Sequence, residues 1–177
     1  MKPPAIEAIT HSIMDKHNFT FSQLRPGQGS NQQPYLRLLM FFNKLPDISE
    51  EKFHQWWQTV HADLTASSAG FNVHVLRYVQ FHQTSAHKKE LAPLGMEILN
   101  FDAMGEMHVK SLDDWVKFSS SPAFTEKLIE DGKNFMQGPL HIMAGYDNLI
   151  YGSKIETSGG ADGILPNDSR LKTVSKL

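Results

Sequence analysis

The chain has 177 residues, 40% of them apolar and 20% charged, with a formal net charge of -2. That mixture suits one globular core and offers no basic field for nucleic acid or an anionic membrane, and no apolar run reaches the ~20 residues of a membrane-spanning helix. Cysteine is absent, which excludes disulfides, thiolate metal sites, iron–sulfur clusters and cysteine nucleophiles together. Acid–base chemistry therefore falls first to the nine histidines, the side chains that change charge near neutral pH. Met1-Lys2-Pro3-Pro4 lacks the charged-then-apolar layout of a secretory leader, so a cytoplasmic location is expected.

Residues 1–34 read as an N-terminal extension, with a short helix over Ala5 to Lys16 and then a breaker-rich loop, Arg25 to Pro34. Tyr35 to Phe42, apolar apart from Arg37, predicts a buried strand. A turn follows over Lys44 to Asp47. Ser49 is a helix N-cap, Ile48 and Phe53 form a hydrophobic staple, and Glu50 and Glu51 sit at the positive end of the helix dipole. The helix carries Phe53, Trp57, Val60, His61 and Leu64 on one stripe and ends near Ser67 to Gly70. Asn72 to Gln83 alternates as a strand, with Val73, Val75, Arg77, Val79 and Phe81 on one face and His74, Leu76, Tyr78, Gln80 and His82 on the other. The segment around Lys88, Lys89 and Pro93 reads as a loop or insertion. Phe101 to Lys110 is a third strand, with Met104, Glu106 and His108 sharing one face. Ser111 caps a second helix carrying Trp115, Phe118, Phe124, Leu128 and Ile129, which Ser121-Pro122 restarts and Gly132 stops. His141 to Tyr151 is the fourth strand, and residues 153–177 form a tail without periodicity. The order is β-α-β-β-α-β over residues 35–152, an α+β, ferredoxin-like plan.

One face of such a sheet lies under its helices, and the other needs a different cover. Val73, Val75, Val79 and Phe81 suit the helix side. The opposite face, with His74, Tyr78, Gln80 and His82, is aromatic and partly polar. It reads as the wall of a cavity enclosed when two sheets pack face to face in a dimer.

Phe42 to His61, a strand ending in Lys44, a short acidic turn and a helix with Phe53, Trp57 and a terminal His61, resembles the EthD-domain signature. Arg77-Tyr78-Val79-Gln80-Phe81-His82 and Phe101-Asp102-Ala103-Met104-Gly105-Glu106-Met107-His108 resemble that family's second and third strands. The resemblance spans about residues 35 to 152 and implies a homodimeric α+β barrel. It further implies a cofactor-independent enzyme of aromatic polyketide tailoring, a decarboxylase or dehydratase. A cyclase or isomerase, a cofactor-free monooxygenase and a non-catalytic small-molecule-binding barrel are the alternatives.

Within that reading the catalytic candidates are His61, His74, Tyr78, His82, Glu106 and His108. Substrate contact is assigned to Arg37, Trp57, Gln80, Met104 and His141. A carboxylate beside imidazole orients the ring, and histidine or tyrosine donors stabilise an enolate. No metal site is expected, since no histidine pair beyond the loose strand spacing shares an obvious face. Gly27-x-Gly29 lacks the strand–helix context of a phosphate cradle, and no Gly-x-Ser-x-Gly elbow occurs. His11, His17, His54 and His87 are assigned to the surface or the extension.

Overall fold

The computed structural model describes residues 16–27 and 31–171; the expected helix over Ala5 to Lys16, like His11, lies essentially outside them. Four strands, β1 (Leu36–Lys44), β2 (Val75–His82), β3 (Ala103–Val109) and β4 (Met136–Gly145), form one sheet in the order β2-β3-β1-β4. All neighbouring pairs are antiparallel. With the helices between β1 and β2 and between β3 and β4, this is the ferredoxin-like fold expected from the sequence.

The first helical layer is α1 (Glu50–Trp56), a π turn (Trp57–His61) and α2 (Ala62–Ala66). The Ser49 hydroxyl accepts from the Lys52 backbone N–H, the cap anticipated at that position. A short helical turn, α3 (Phe71–His74), leads into β2, and the expected loop around Lys88 contains α4 (Ser85–Leu91). The second layer is α5 (Leu112–Ser119), another π turn (Ala123–Leu128) and α6 (Ile129–Gly132). Ser111 caps α5 by accepting from the Asp114 N–H.

Two aromatic and aliphatic clusters hold the layers together. Leu38, Met40, Val75, Met107 and Val109 of the sheet meet Phe118 and Leu128. Phe42 and Ala103 meet Phe53, Trp57 and Phe135, with Ile48 packed alongside as the staple requires.

Four expectations need correction. First, β4 begins at Met136 rather than His141 and ends at Gly145. Second, His74 is on the turn of α3, outside the strand, where its Nδ1 meets Asp114 at 3.1 Å. Third, Val60 leaves the buried stripe and is 44% exposed, because the π turn rotates the helix after Trp57. Fourth, the two faces of β2 are exchanged. Val75 pairs with Val109 and Arg77 with His108, so the chain inserts Leu76 as an extra residue. Such a bulge reverses the parity of everything beyond it. Val75 stays under the helices as expected, but Tyr78, Gln80 and His82 join it there, while Arg77, Val79 and Phe81 turn to the outer face.

Glu106, His108 and Met104 of β3, with Arg37 of β1, therefore lie on the face opposite Tyr78 and Gln80. The chain's own ends cover part of this outer face. Gln33 donates its backbone N–H to Asp147 at 2.8 Å, and Leu149 donates to Asn31 at 3.1 Å. The turn Glu156–Ser158 brings the Ser158 hydroxyl to 3.0 Å from His108 Nδ1. Gly160 is required here: its φ is +104°, and a Cβ would sit 2.0 Å from Gln33 Oε1.

Phe53 has no exposed surface and touches Phe42, Trp57 and Phe135 at once. Phe53→Ala should cost about 3–5 kcal/mol, read as a lower urea midpoint at unchanged slope.

Candidate functional site

A cavity of about 310 Å³ lies between the sheet and the two helical layers. Its floor is Met40, Phe42, Gly105 and Met107, and its roof is built by the two π turns with Trp57, His61, Phe124 and Leu128. On an α-helix four residues overshoot one turn by ~40°, so Trp57, His61 and Thr65 would drift off a common face. The wider π turn removes that drift, and all three line the cavity.

Two polar groups face this apolar space. His61 Nδ1 lies 2.8 Å from Asp131 Oδ2. An ionised carboxylate only accepts, so Nδ1 carries the proton and Nε2 holds a lone pair. Among the described residues Nε2 has no hydrogen-bond partner. Burial lowers the His61 pKa below its ordinary value, and the bond and charge of Asp131 oppose that shift. The second group is the Tyr78 hydroxyl, which accepts from Gln80 Nε2 at 2.8 Å. Gln80 Nε2 is itself held by the Trp57 carbonyl at 2.8 Å. Burial raises the Tyr78 pKa, and hydrogen bonds with Gln80, Trp57 and Thr65 only partly offset it; the Thr65 hydroxyl gives its own proton to the His61 carbonyl at 2.7 Å, so towards Tyr78 it can only accept. Tyr78 is thus a neutral phenol that accepts from Gln80 and keeps an O–H to donate, with the Thr65 oxygen as one acceptor within the protein.

The expected site residues separate into four groups. His61, Trp57 and Tyr78 line the cavity, and Gln80 stands behind Tyr78. His82 is at the far end of the same face, its ring 4.5 Å from Trp57 and its Nδ1 2.7 Å from His54 Nδ1. His54, assigned to the surface, is thus half of a histidine pair, and its Nε2 is buried with no partner among the described residues. His74 is bound at Asp114, away from the cavity lining.

Glu106, His108 and Arg37 form a separate network on the outer face. His108 is wholly buried, stacked 4.1 Å from Tyr35, with Nδ1 at Ser158 and Nε2 3.0 Å from Glu106. Glu106 also pairs closely with Arg37, which reaches Asp147 at 3.2 Å. Tyr35, bonded to Asp147, is pushed up to about 12, first by burial and then by that bond. Both His108 nitrogens are used, so this cluster fastens the tail to the sheet. Met104 and His141 are on the same outer face, at its apolar end beside Phe41 and Phe101.

Asp131 and the roof residue Phe135 are site members that sequence reasoning missed. Asp131 is 70 positions from His61 in the chain, so no local spacing links them. A larger cleft of about 840 Å³ opens between the N-terminal segment and the tail, near Gln23, Arg25, Asn31 and Asp162, but it holds neither histidine nor tyrosine. Among the described residues no group of three or more His, Asp or Glu side chains is placed to hold a metal, and no helix is long and apolar enough to cross a membrane.

Residues 45–139 match the family model of the EthD domain, just over half of the chain. Solved structures to which the chain is similar include an ethyl tert-butyl ether D (EthD) family protein from Bacillus halodurans, 17% identical over 63% of this chain and 96% of the other, with a TM-score of 0.46. A DABB family protein with a ferredoxin-like fold from Mesorhizobium loti is 10% identical over 64% and 96%, with a TM-score of 0.46. Hydroxynitrile lyase from Passiflora edulis is 14% identical over 66% and 95%, with a TM-score of 0.45.

His54, His61, His82 and His108 all have pKa values lowered chiefly by burial. The unfolded chain therefore binds more protons than the folded one once pH falls below about 6.5, and stability falls with it. Urea midpoints should drop between pH 7.5 and pH 5.5, roughly the window of histidine titration. His54→Gln, which keeps the size and cannot ionise, should reduce that drop; an unchanged pH dependence in both proteins would contradict it.

Proposed function

Since the chain belongs to the EthD domain family, we propose that it is a cofactor-independent lyase whose cavity dehydrates an aromatic polyketide-type β-hydroxy ketone. The observation that carries this reading is the pairing, in one largely apolar cavity, of a histidine whose Nε2 has no partner among the described residues and a phenol that keeps its proton. His61 Nε2 removes the proton on the carbon between carbonyl and hydroxyl-bearing carbon. Tyr78 donates a hydrogen bond to the carbonyl oxygen as it gains enolate charge. The enolate collapses to the enone, the carbon–oxygen bond breaks, and protonated His61 returns its proton to the departing hydroxide as water. The enzyme ends as it began. Asp131 holds the imidazole in the tautomer that exposes Nε2 and stabilises the imidazolium.

Decarboxylation is supported less well. It needs a held carboxylate and a proton donor rather than a base, and neutral His61 presents a lone pair. Oxygen uptake during turnover would instead mark a monooxygenase, and a product of unchanged mass a cyclase.

The same reading includes a homodimer. The outer face keeps an apolar end that the tail leaves open, where Phe81 is 59% and Met143 57% exposed beside Phe41 and Met104. A second copy would cover it. Phe81→Glu should shift the protein toward monomer in sedimentation velocity while leaving its circular dichroism intact.

Mass spectrometry of an aromatic β-hydroxy ketone incubated with the protein should record loss of water. His61→Ala should lower kcat by about 10²–10⁴, and Tyr78→Phe by about 10²–10³. Activity should hold to pH values below about 6.5 before His61 protonates, and Asp131→Asn should move that acid limb lower still. Wild-type rates in folded His61→Ala and Tyr78→Phe would remove the reading.

A further inference from the structure

The charge environment of the cavity constrains what enters it. Its polar atoms are the His61 imidazole, the Tyr78 and Thr65 hydroxyls and the indole of Trp57; every other lining side chain is apolar, and neither lysine nor arginine is among them. A formal negative charge stands directly behind the wall, Asp131 at His61. The cations with buried or half-buried heads are committed elsewhere. Arg37 is engaged by Glu106 and Asp147, and Arg77 lies on the opposite sheet face beside Glu106. Lys88 is engaged by Asp102 at 2.8 Å, and Lys44 donates to the Leu45 and Ile48 carbonyls. An anion moved into such a space loses its water and meets no lysine or arginine in return, so its uncompensated charge disfavours binding.

We infer that the cavity selects its ligand by charge, admitting an uncharged aromatic carbonyl or phenol and rejecting the corresponding free carboxylate. This rests on the reading of the cavity as the substrate site. It narrows the substrate to a neutral ketone, ester or thioester. The reaction supplying that substrate must then deliver it with its acid group masked or already removed.

The test uses equilibrium binding, which needs no turnover. Methyl 2-naphthoate and 2-naphthoate share a ring system and differ in charge at neutral pH. Titration calorimetry of the full-length protein should find the ester bound and the carboxylate at least about tenfold weaker, a difference of about 1.4 kcal/mol. Leu140→Lys sets a cation beside the cavity, because Leu140 lines it and is 38% exposed. That variant should narrow the gap by strengthening naphthoate binding relative to the ester. Gly105→Val, which fills the floor from a position where a Cβ meets only Met40 at 3.6 Å, should weaken the ester and so locate the binding. Equal or tighter binding of naphthoate by the unmodified protein would overturn charge selection and leave the acid–base reading standing, since that reading is judged by the His61 and Tyr78 variants. A gap unchanged in folded Leu140→Lys would overturn the assignment of the discrimination to this cavity. Absence of binding by either probe would overturn both the inference and the cavity's role as substrate site.

Discussion

The two central strands, β1 and β3, have a neighbour on each edge, so only their two faces remain to be covered. Their alternating side chains meet two different covers. Leu38, Met40, Phe42, Met107 and Val109 go under the helices and close into an apolar core. Arg37, Glu106 and His108 point the other way, where the helices cannot reach. The tail supplies their cover with Ser158 and Asp147. Burying charged groups is tolerated when each is paired and hydrogen-bonded. The outer network meets that condition at His108 and Glu106, so its polarity holds the chain's end in place.

The helical side is left incompletely packed. Two π turns roof the same face of the sheet, and the space beneath them is not filled by protein. Stabilising that arrangement falls to the clusters on either side, around Phe118 and around Phe53. The consequence is a largely apolar cavity in which one imidazole and one phenol are the ionisable side chains. Burial pushes both toward neutrality, lowering His61 and raising Tyr78. That combination suits proton abstraction beside a carbonyl, because the base is unprotonated and the donor still holds its proton.

His61 and His108 show how environment divides a single residue type. Each has a carboxylate partner near 3 Å. His108 spends its second nitrogen on Ser158 and is sealed from solvent, whereas His61 keeps a nitrogen open to a cavity. Hydrogen bonding at both nitrogens makes a clasp, whereas bonding at one leaves the other nitrogen available. His54 and His82 differ again, their Nδ1 atoms 2.7 Å apart and the His82 ring packed against Trp57.

Much was legible in the chain itself. The alternation of apolar residues, the caps at Ser49 and Ser111 and the helical stripes are local, short-range patterns, and they determined the β-α-β-β-α-β order and the inward direction of His61. Face assignment on β2 was not legible. It depended on one inserted residue at Leu76, and a bulge is defined by the partner strand's hydrogen bonds rather than by anything in its own strand. The partnership of His61 with Asp131 was likewise beyond reach, because the residues meet only when the second helix packs across the first. Local propensity determined which residues are helical and which extended; tertiary packing alone decided which sheet face each histidine shares, since that depends on register, bulges and the cover each face receives.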